Sequence, residues 1–561
     1  MKDLLMKYRI PSHNNLYLYK YINWVYVKEE YMLNLKEKSL DWAIKSIIKN
    51  GDSYIFPNAF EFDAINENWV EVKEYLLNLD VLSNGLRDYR TAITPKSMLG
   101  FRISTQLDPL DSIINNAIIY EIHDLIENTR LPAFLNTIFS FRLKPHNDGT
   151  LYDSQYNWEA FNREAKRIID LDEYNYIVVT DIADFYPSIY LHNIETHLRE
   201  CVKTSGKIAH AESLINTIKA MHCNQTHKGL PIGPQFSRPI AELILNEIDQ
   251  ILNDKDIVFV RFVDDYRIFC KSESEAYKKL AFLAQKLYDM LNLKLNEPKT
   301  KIITKEVFTK KYLRIFNESE EDKFLKEFYE LCSSAGIGTS IYDEIDFDSI
   351  DEETLEELRK VNLLNMLREE LDHDTPDYGF IKILIGNLAR FDNTEVAEFI
   401  LKEENIRKLF PILKTIISYL HRVKSFSIEQ KHKIGNTVLR LIKSSFISEL
   451  EFNRSWLFSL FSKNDEWDNC NVFISMLGEF NDNLTKRELL LSIGRSRNLS
   501  YFRENKLLNV STMDPWVARA FLAAISCLPK DERTAYYKSR SLRNRDFLEK
   551  IVEKWAAKNH F

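Results

Sequence analysis

The sequence predicts an α+β half followed by an all-α half, and three observations carry that division. Between about residues 90 and 315, helical periodicity, as in Ile113 to Ile126 and Glu242 to Leu252, alternates with short β-rich runs, as in Tyr176 to Thr180 and Ile257 to Phe262. From about residue 359, apolar residues recur at helical spacing nearly to the C-terminus. Glycine (14) and proline (15) are scarce among 561 residues, which favours long regular elements over wide loops.

Taken in order, residues 1–90 read as a helical, aromatic extension, densest at Leu16 to Trp24. Residues 91–315 form the α/β unit and 316–358 an acidic linker region. Residues 359–561 form the helical unit. Within it Phe380 to Leu388, Thr394 to Leu401, Ile406 to Leu420, His432 to Ile442 and Trp516 to Leu528 read as successive amphipathic helices. Helix pairs at roughly forty-residue intervals fit a HEAT-like repeat, with an irregular bundle as the alternative.

Six scattered cysteines without a C-x-x-C pair fit a reduced, cytoplasmic protein without structural zinc. No apolar leader or membrane-spanning run is expected. The net charge of −8 removes the simplest case for nucleic-acid binding. A local basic run, Lys299, Lys301, Lys305, Lys310, Lys311 and Arg314, is compatible with a basic channel or with a solvated face.

The chemistry sits in Ile257-Val-Phe-Val-Arg-Phe-Val-Asp-Asp-Tyr-Arg-Ile-Phe269. Two apolar, strand-like runs flank Asp264-Asp265, so a β-hairpin with acid at its turn is expected. Adjacent carboxylates repel, and divalent cations would relieve them, although an acidic turn alone is common. Asp181, at the end of the run Tyr176 to Thr180, supplies a third carboxylate. Three such acids offer the oxygen ligands for two Mg²⁺ ions, which would activate a 3′-hydroxyl and stabilise a leaving pyrophosphate. Between the acids lies Gly229-Leu-Pro-Ile-Gly-Pro-Gln-Phe-Ser237, whose glycines would let backbone approach a base pair.

These segments resemble the reverse transcriptase family, in the family's order. Asp181-x-x-x-Phe185-Tyr186 matches motif A and Gly229-x-Pro-x-Gly233-x-x-x-Ser237 motif B. Phe262-Val-Asp-Asp265 matches motif C, and Asn296-x-x-Lys299-Thr300 motif D. The resemblance spans residues 90 to 315 and implies the fingers and palm of a right-hand polymerase. It implies that Asp181, Asp264 and Asp265 are catalytic and, with the Ile182 carbonyl, ligate two Mg²⁺ ions, with Mn²⁺ as a substitute. Lys96, Arg102, Arg142, Tyr186, Gly233 and Lys299 would then contact the incoming dNTP, with Tyr186 as the gate against a ribose 2′-hydroxyl.

The residue after the motif B proline is Ile232, where the family usually carries Gln, which puts template readout in doubt. The continuation Ser237-Arg-Pro-Ile-Ala-Glu-Leu243, with helical repeats in place of a recognisable thumb, is similar to bacterial abortive-infection and defence-associated reverse transcriptases. That resemblance implies an anti-phage DNA polymerase that is protein-primed and template-independent, or one that copies a non-coding RNA. It also implies dNTPs and a DNA product as partners, and homo-oligomers. Tyr17, Tyr19, Tyr21 and Tyr26 crowd one stretch, and an aromatic core face accounts for them; no priming tyrosine is assigned. An RNA polymerase on a similar palm and a non-catalytic nucleic-acid-binding scaffold are the competing readings.

Overall fold

The computed structural model describes residues 32–221, 227–313, 363–373, 376–468, 472–505, 510–538 and 546–559. The Leu16 to Trp24 stretch, Arg314 and the acidic linker at 316–358 lie outside the described residues.

Two small antiparallel sheets organise the first half. A hairpin pairs β1 (Arg90–Pro95) with β2 (Phe101–Gln106) in the register Ile93 to Ile103 and Thr94 to Arg102. Because side chains alternate across a strand, Ala92, Thr94 and Ser104 are buried on its inner face, whereas Ile93, Phe101 and Ile103 stand exposed on the outer one. The second sheet contains β3 (Tyr176–Asp181), β4 (Phe259–Phe262), β5 (Asp265–Cys270) and β6 (Lys301–Thr304), in the order β4-β5-β3-β6. All its pairings are antiparallel. Helices Pro109–Thr129 and Ser237–Asp254 extend the predicted helical segments to either side, and the first starts on the side chain of Asp108, which caps Leu110 N–H.

The second half is helical. Tyr378–Arg390, Leu413–Arg422, Glu451–Lys463, Asn483–Arg495, Pro515–Ala524 and Phe547–Lys558 stack one on the next. Their first residues recur every 32 to 38 positions, with further helices between them, the longest being Ile428–Ser444. The expected helix from Ile406 to Leu420 is in fact two, Glu403–Leu409 and Leu413–Arg422, joined by a 3₁₀ turn at Phe410–Ile412. Pro411 lacks an N–H and crowds the preceding turn, which accounts for the break.

The halves share one hydrophobic core, running from Leu33 to Ala556. Trp456 Nε1 donates to the Ile55 carbonyl at 3.0 Å and Trp516 Nε1 to that of Asp88 at 2.8 Å. Tyr75 and Phe547 stack with centroids 3.9 Å apart. Buried Glu61 takes Arg487 at 2.6 Å and Arg519 at 3.0 Å, and Arg519 also reaches Asp108 at 2.9 Å. Two cations around the Glu61 carboxylate make this joint strongly dependent on all of its members.

Candidate active site

The sheet register assembles the acids. Asp181 ends β3 directly opposite Asp265, the first residue of β5, and Ile182 N–H donates to the Asp264 carbonyl at 3.2 Å. The hairpin turn is Val263-Asp264, so one aspartate sits in the turn and the other opens the returning strand, rather than both lying in the turn as expected. Val263 takes φ +55°, a left-handed conformation that is costly for a β-branched residue.

A buried polar network secures that turn. Val263 N–H donates to Ser140 Oγ at 2.9 Å, and its carbonyl accepts from Arg261 Nη1 at 2.7 Å. Arg261, fully buried, pairs with Asp249 at 2.5 Å and Glu242 at 2.9 Å, and Glu242 also holds Arg130 at 2.8 Å and Ser140 at 2.5 Å. Each buried charge thus faces an opposite charge, which is the condition for keeping it away from water. The only sequence signal for this network is an arginine inside an otherwise apolar strand.

The three carboxylates crowd one another. Burial, then the charges of Asp265 and Asp181, push the Asp264 carboxyl up to about 7. Burial raises Asp265 to about 6, although Arg267 opposes the rise, while Asp181 adds to it. Arg267 lies two residues along the same strand, stacked on Phe161 at 4.3 Å and donating to Asn162 at 2.7 Å. Lys299 ion-pairs with Asp181 Oδ2. Despite burial, which lowers it, that pair and the charges of Asp265 and Asp264 hold the Lys299 ammonium above its ordinary value.

Asp181 Oδ1 is buried with no hydrogen-bond partner. Among the described residues no group of three or more His, Cys, Asp or Glu side chains is placed so as to hold a metal ion by itself. An orphaned carboxylate oxygen next to two acids that resist ionisation is nevertheless the donor set a hard divalent cation satisfies. The residues fit such an ion.

The remaining predicted residues fall in two groups. Lys96, exposed at the β1–β2 turn, lies within electrostatic reach of Asp264 and Asp265. Tyr186 is half-buried, edge-on to Phe185 at 5.5 Å, and burial followed by Tyr54 pushes its phenol well up. Beside it, Arg238 stacks on Tyr54 at 4.2 Å and on Phe141 at 4.8 Å. Arg142, in contrast, is buried against Glu127 at 2.8 Å and the Ile138 carbonyl at 3.2 Å. Arg102 shares the inner hairpin face with Thr94, and its Nε is buried without a partner.

Gly233 serves a packing role that sequence reasoning missed. It adopts φ +127°, and a Cβ there would stand 2.1 Å from the Thr105 carbonyl oxygen, while Thr105 N–H donates to the Ile232 carbonyl at 2.7 Å. The close approach it permits is to the fingers hairpin backbone. Within the basic run, Lys299 goes to Asp181 and Lys305 pairs with Asp172 at 2.5 Å.

Residues 101–325 match the family model described as reverse transcriptase (RNA-dependent DNA polymerase), a nucleotidyltransferase family. The family generally uses divalent metal ions, and it implies dNTP substrates and a nucleic-acid template. No curated protein matches the chain. Among solved structures, the chain is similar to telomerase from Candida albicans in complex with a TWJ fragment of telomeric RNA. That match has 12% identity and a TM-score of 0.30, and covers 78% of this chain and 75% of that one. Telomerase from Candida tropicalis matches in its apo form (10%, TM-score 0.30, 71% and 74%) and in complex with the TWJ fragment (11%, 0.31, 88% and 67%). Among the described residues no helix is long and apolar enough to cross a membrane.

Proposed function

We propose that the reverse transcriptase-family domain at residues 101–325 is a working DNA polymerase, dependent on Mg²⁺, that serves in anti-phage defence. The observation that supports it best is the gathering of Asp181, Asp264 and Asp265 at one end of a sheet, with Lys299 on Asp181. Like charges that raise one another's pKa are unfavourable in a pure scaffold and useful in a metal-dependent site.

In this reading Asp181, Asp264 and Asp265, with the Ile182 carbonyl, hold two Mg²⁺ ions. Bound there, the ions supply activation of the 3′-hydroxyl and stabilisation of the leaving pyrophosphate. The chain's own residues position the substrate. Tyr186 presents its ring to the sugar and excludes a 2′-hydroxyl, Lys96 faces the phosphates, and Lys299 neutralises charge at Asp181. The network of Arg261, Glu242 and Ser140 holds the strained Val263 turn so that Asp264 keeps its place.

The defence assignment rests on the Ser237-Arg-Pro continuation and on a HEAT-like helical region, residues 359–561, joined to the polymerase unit at 91–315 by the acidic linker. Ile232 in place of an amide favours template-independent, protein-primed synthesis; copying of a non-coding RNA is the alternative. Purified protein incubated with labelled dNTPs and Mg²⁺, before and after RNase, tests both. Incorporation that survives RNase and stays attached to protein supports the first mode. Equal incorporation by wild type and Asp264→Asn would remove the catalytic assignment.

A further inference from the structure

A cavity of about 250 Å³ opens within the helical half. His421 lies in the last turn of helix Leu413–Arg422, Lys431 in helix Ile428–Ser444, and Asn464 and Trp467 just beyond helix Glu451–Lys463. Exposed Lys424 and Glu466 complete its polar lining. The walls are fixed by packing. The Trp467 ring stands edge-on to His421 and to Phe426, with centroids 6.4 and 5.9 Å apart. The N–H groups of Lys424 and Ser425 donate to Asp392 Oδ1 at 2.6 and 3.1 Å, which sets the loop that carries Lys424. Gly435 lets its helix approach the Trp467 carbonyl oxygen, which a Cβ there would meet at 1.9 Å.

Two polar atoms of this wall, Trp467 Nε1 and His421 Nε2, are buried and have no hydrogen-bond partner among the described residues. Trp467 is only 2% exposed. Burial, then the charge of Lys463, pushes the His421 imidazole down to about 4, so it is uncharged in neutral solution, and its other nitrogen engages the Ser459 backbone. An indole N–H only donates, and an imidazole that gives its Nδ1–H to a carbonyl only accepts at Nε2. The occupant must therefore offer an acceptor and a donor together. Among the described residues the lining holds two lysines against one acid, Glu466, which pairs with Lys431. Asn464 Oδ1 accepts Glu466 N–H at 2.8 Å, which leaves the amide NH₂ as a further donor. Water would satisfy the two buried atoms and leave the excess positive charge unanswered. Carboxylate and sulfate answer the charge but only accept, whereas hydrogen phosphate carries a P–OH beside its charged oxygens.

We propose that this cavity binds inorganic hydrogen phosphate. Trp467 Nε1 and the Asn464 amide donate to its charged oxygens, its P–OH donates to His421 Nε2, and Lys424 and Lys431 balance its charge. The site belongs to the helical half alone and holds whether or not residues 101–325 polymerise DNA.

The test is calorimetric titration of the full-length protein with potassium phosphate, without divalent metal and at matched ionic strength. Sulfate and dTMP are the comparison ligands, at about pH 8, where a phosphate monoester is a dianion without a P–OH. Phosphate should bind at one saturable site, with sulfate and dTMP weaker by about 10-fold or more, the scale of one lost charge-assisted hydrogen bond. Trp467→Phe keeps a ring and removes the N–H, and should raise the phosphate Kd by about 10-fold or more. Lys424→Gln, an exposed change, should also raise it, and decides the matter alone if Trp467→Phe fails to fold. Absence of saturable phosphate binding, sulfate or dTMP binding as tightly as phosphate, or an unchanged Kd in Lys424→Gln would each overturn the proposal.

Discussion

Asp181 and Asp265 face each other as registered partners of two antiparallel strands, with Lys299 paired to one Asp181 oxygen and the other buried without a partner. Asp264 stands one residue away in the turn, its carbonyl accepting a hydrogen bond from Ile182 N–H across the strands.

That arrangement predicts linkage between metal and stability. An ion that binds only the folded chain stabilises it by about 2.7 kcal/mol at a hundredfold excess over Kd. Millimolar Mg²⁺ should therefore raise the wild-type Tm in calorimetry and leave Asp181→Asn unmoved. An equal shift in both proteins would put the binding elsewhere.

Tyr186→Ala should relax sugar discrimination. The ring is held edge-on to Phe185, and the Tyr186 carbonyl accepts Leu230 N–H at 2.8 Å, so its place is set by more than its own rotamer. Competing dNTP and rNTP incorporation should converge by about 100-fold, the scale on which a pocket rejects an added hydroxyl. Unchanged selectivity would mean that the ring does not face the sugar.

Gly233→Ala should destabilise the fold by about 2–4 kcal/mol, since it combines a left-handed backbone with a methyl group driven into the Thr105 carbonyl. Urea denaturation gives the value. A loss below 0.5 kcal/mol would show that the hairpin and the loop can separate freely.

Glu61 makes the joint between the halves sensitive to acid. Burial alone would raise its carboxyl, but Arg487 and Arg519 outweigh that and hold it at about 2, below the unfolded value of 4.5. The unfolded chain therefore takes up the proton first as pH falls. The contribution, about 3 kcal/mol by linkage, is present above pH 4.5 and is lost progressively toward pH 2. Glu61→Gln should lose it at neutral pH, about 3–5 kcal/mol when Arg487 and Arg519 lose the carboxylate they share, Arg519 keeping only Asp108. A Tm for Glu61→Gln equal to wild type at pH 7 would contradict this.

Much of the site was legible because its chemistry is local. A β-rich run ending in Asp181, a hairpin carrying Asp264 and Asp265, and a glycine turn before a helix each follow from propensity within a dozen residues. The structure moved Asp265 from the turn into the strand and set Gly233 against the backbone of Thr105. The network at Arg261 was not legible. A lone arginine in a strand does not name its acids.

By itself the sequence determined the two-part architecture, the order of the four motifs and the identity of the acids, because periodicity and turn chemistry act between near neighbours. Tertiary structure alone decided which acids meet, that Lys299 occupies Asp181, and that Trp456 and Trp516 of the helical half donate to the Ile55 and Asp88 carbonyls of the first half. Those contacts depend on the register of strands and on the stacking of helices around one shared core, and the free energy of burying that core is a property of the assembled whole.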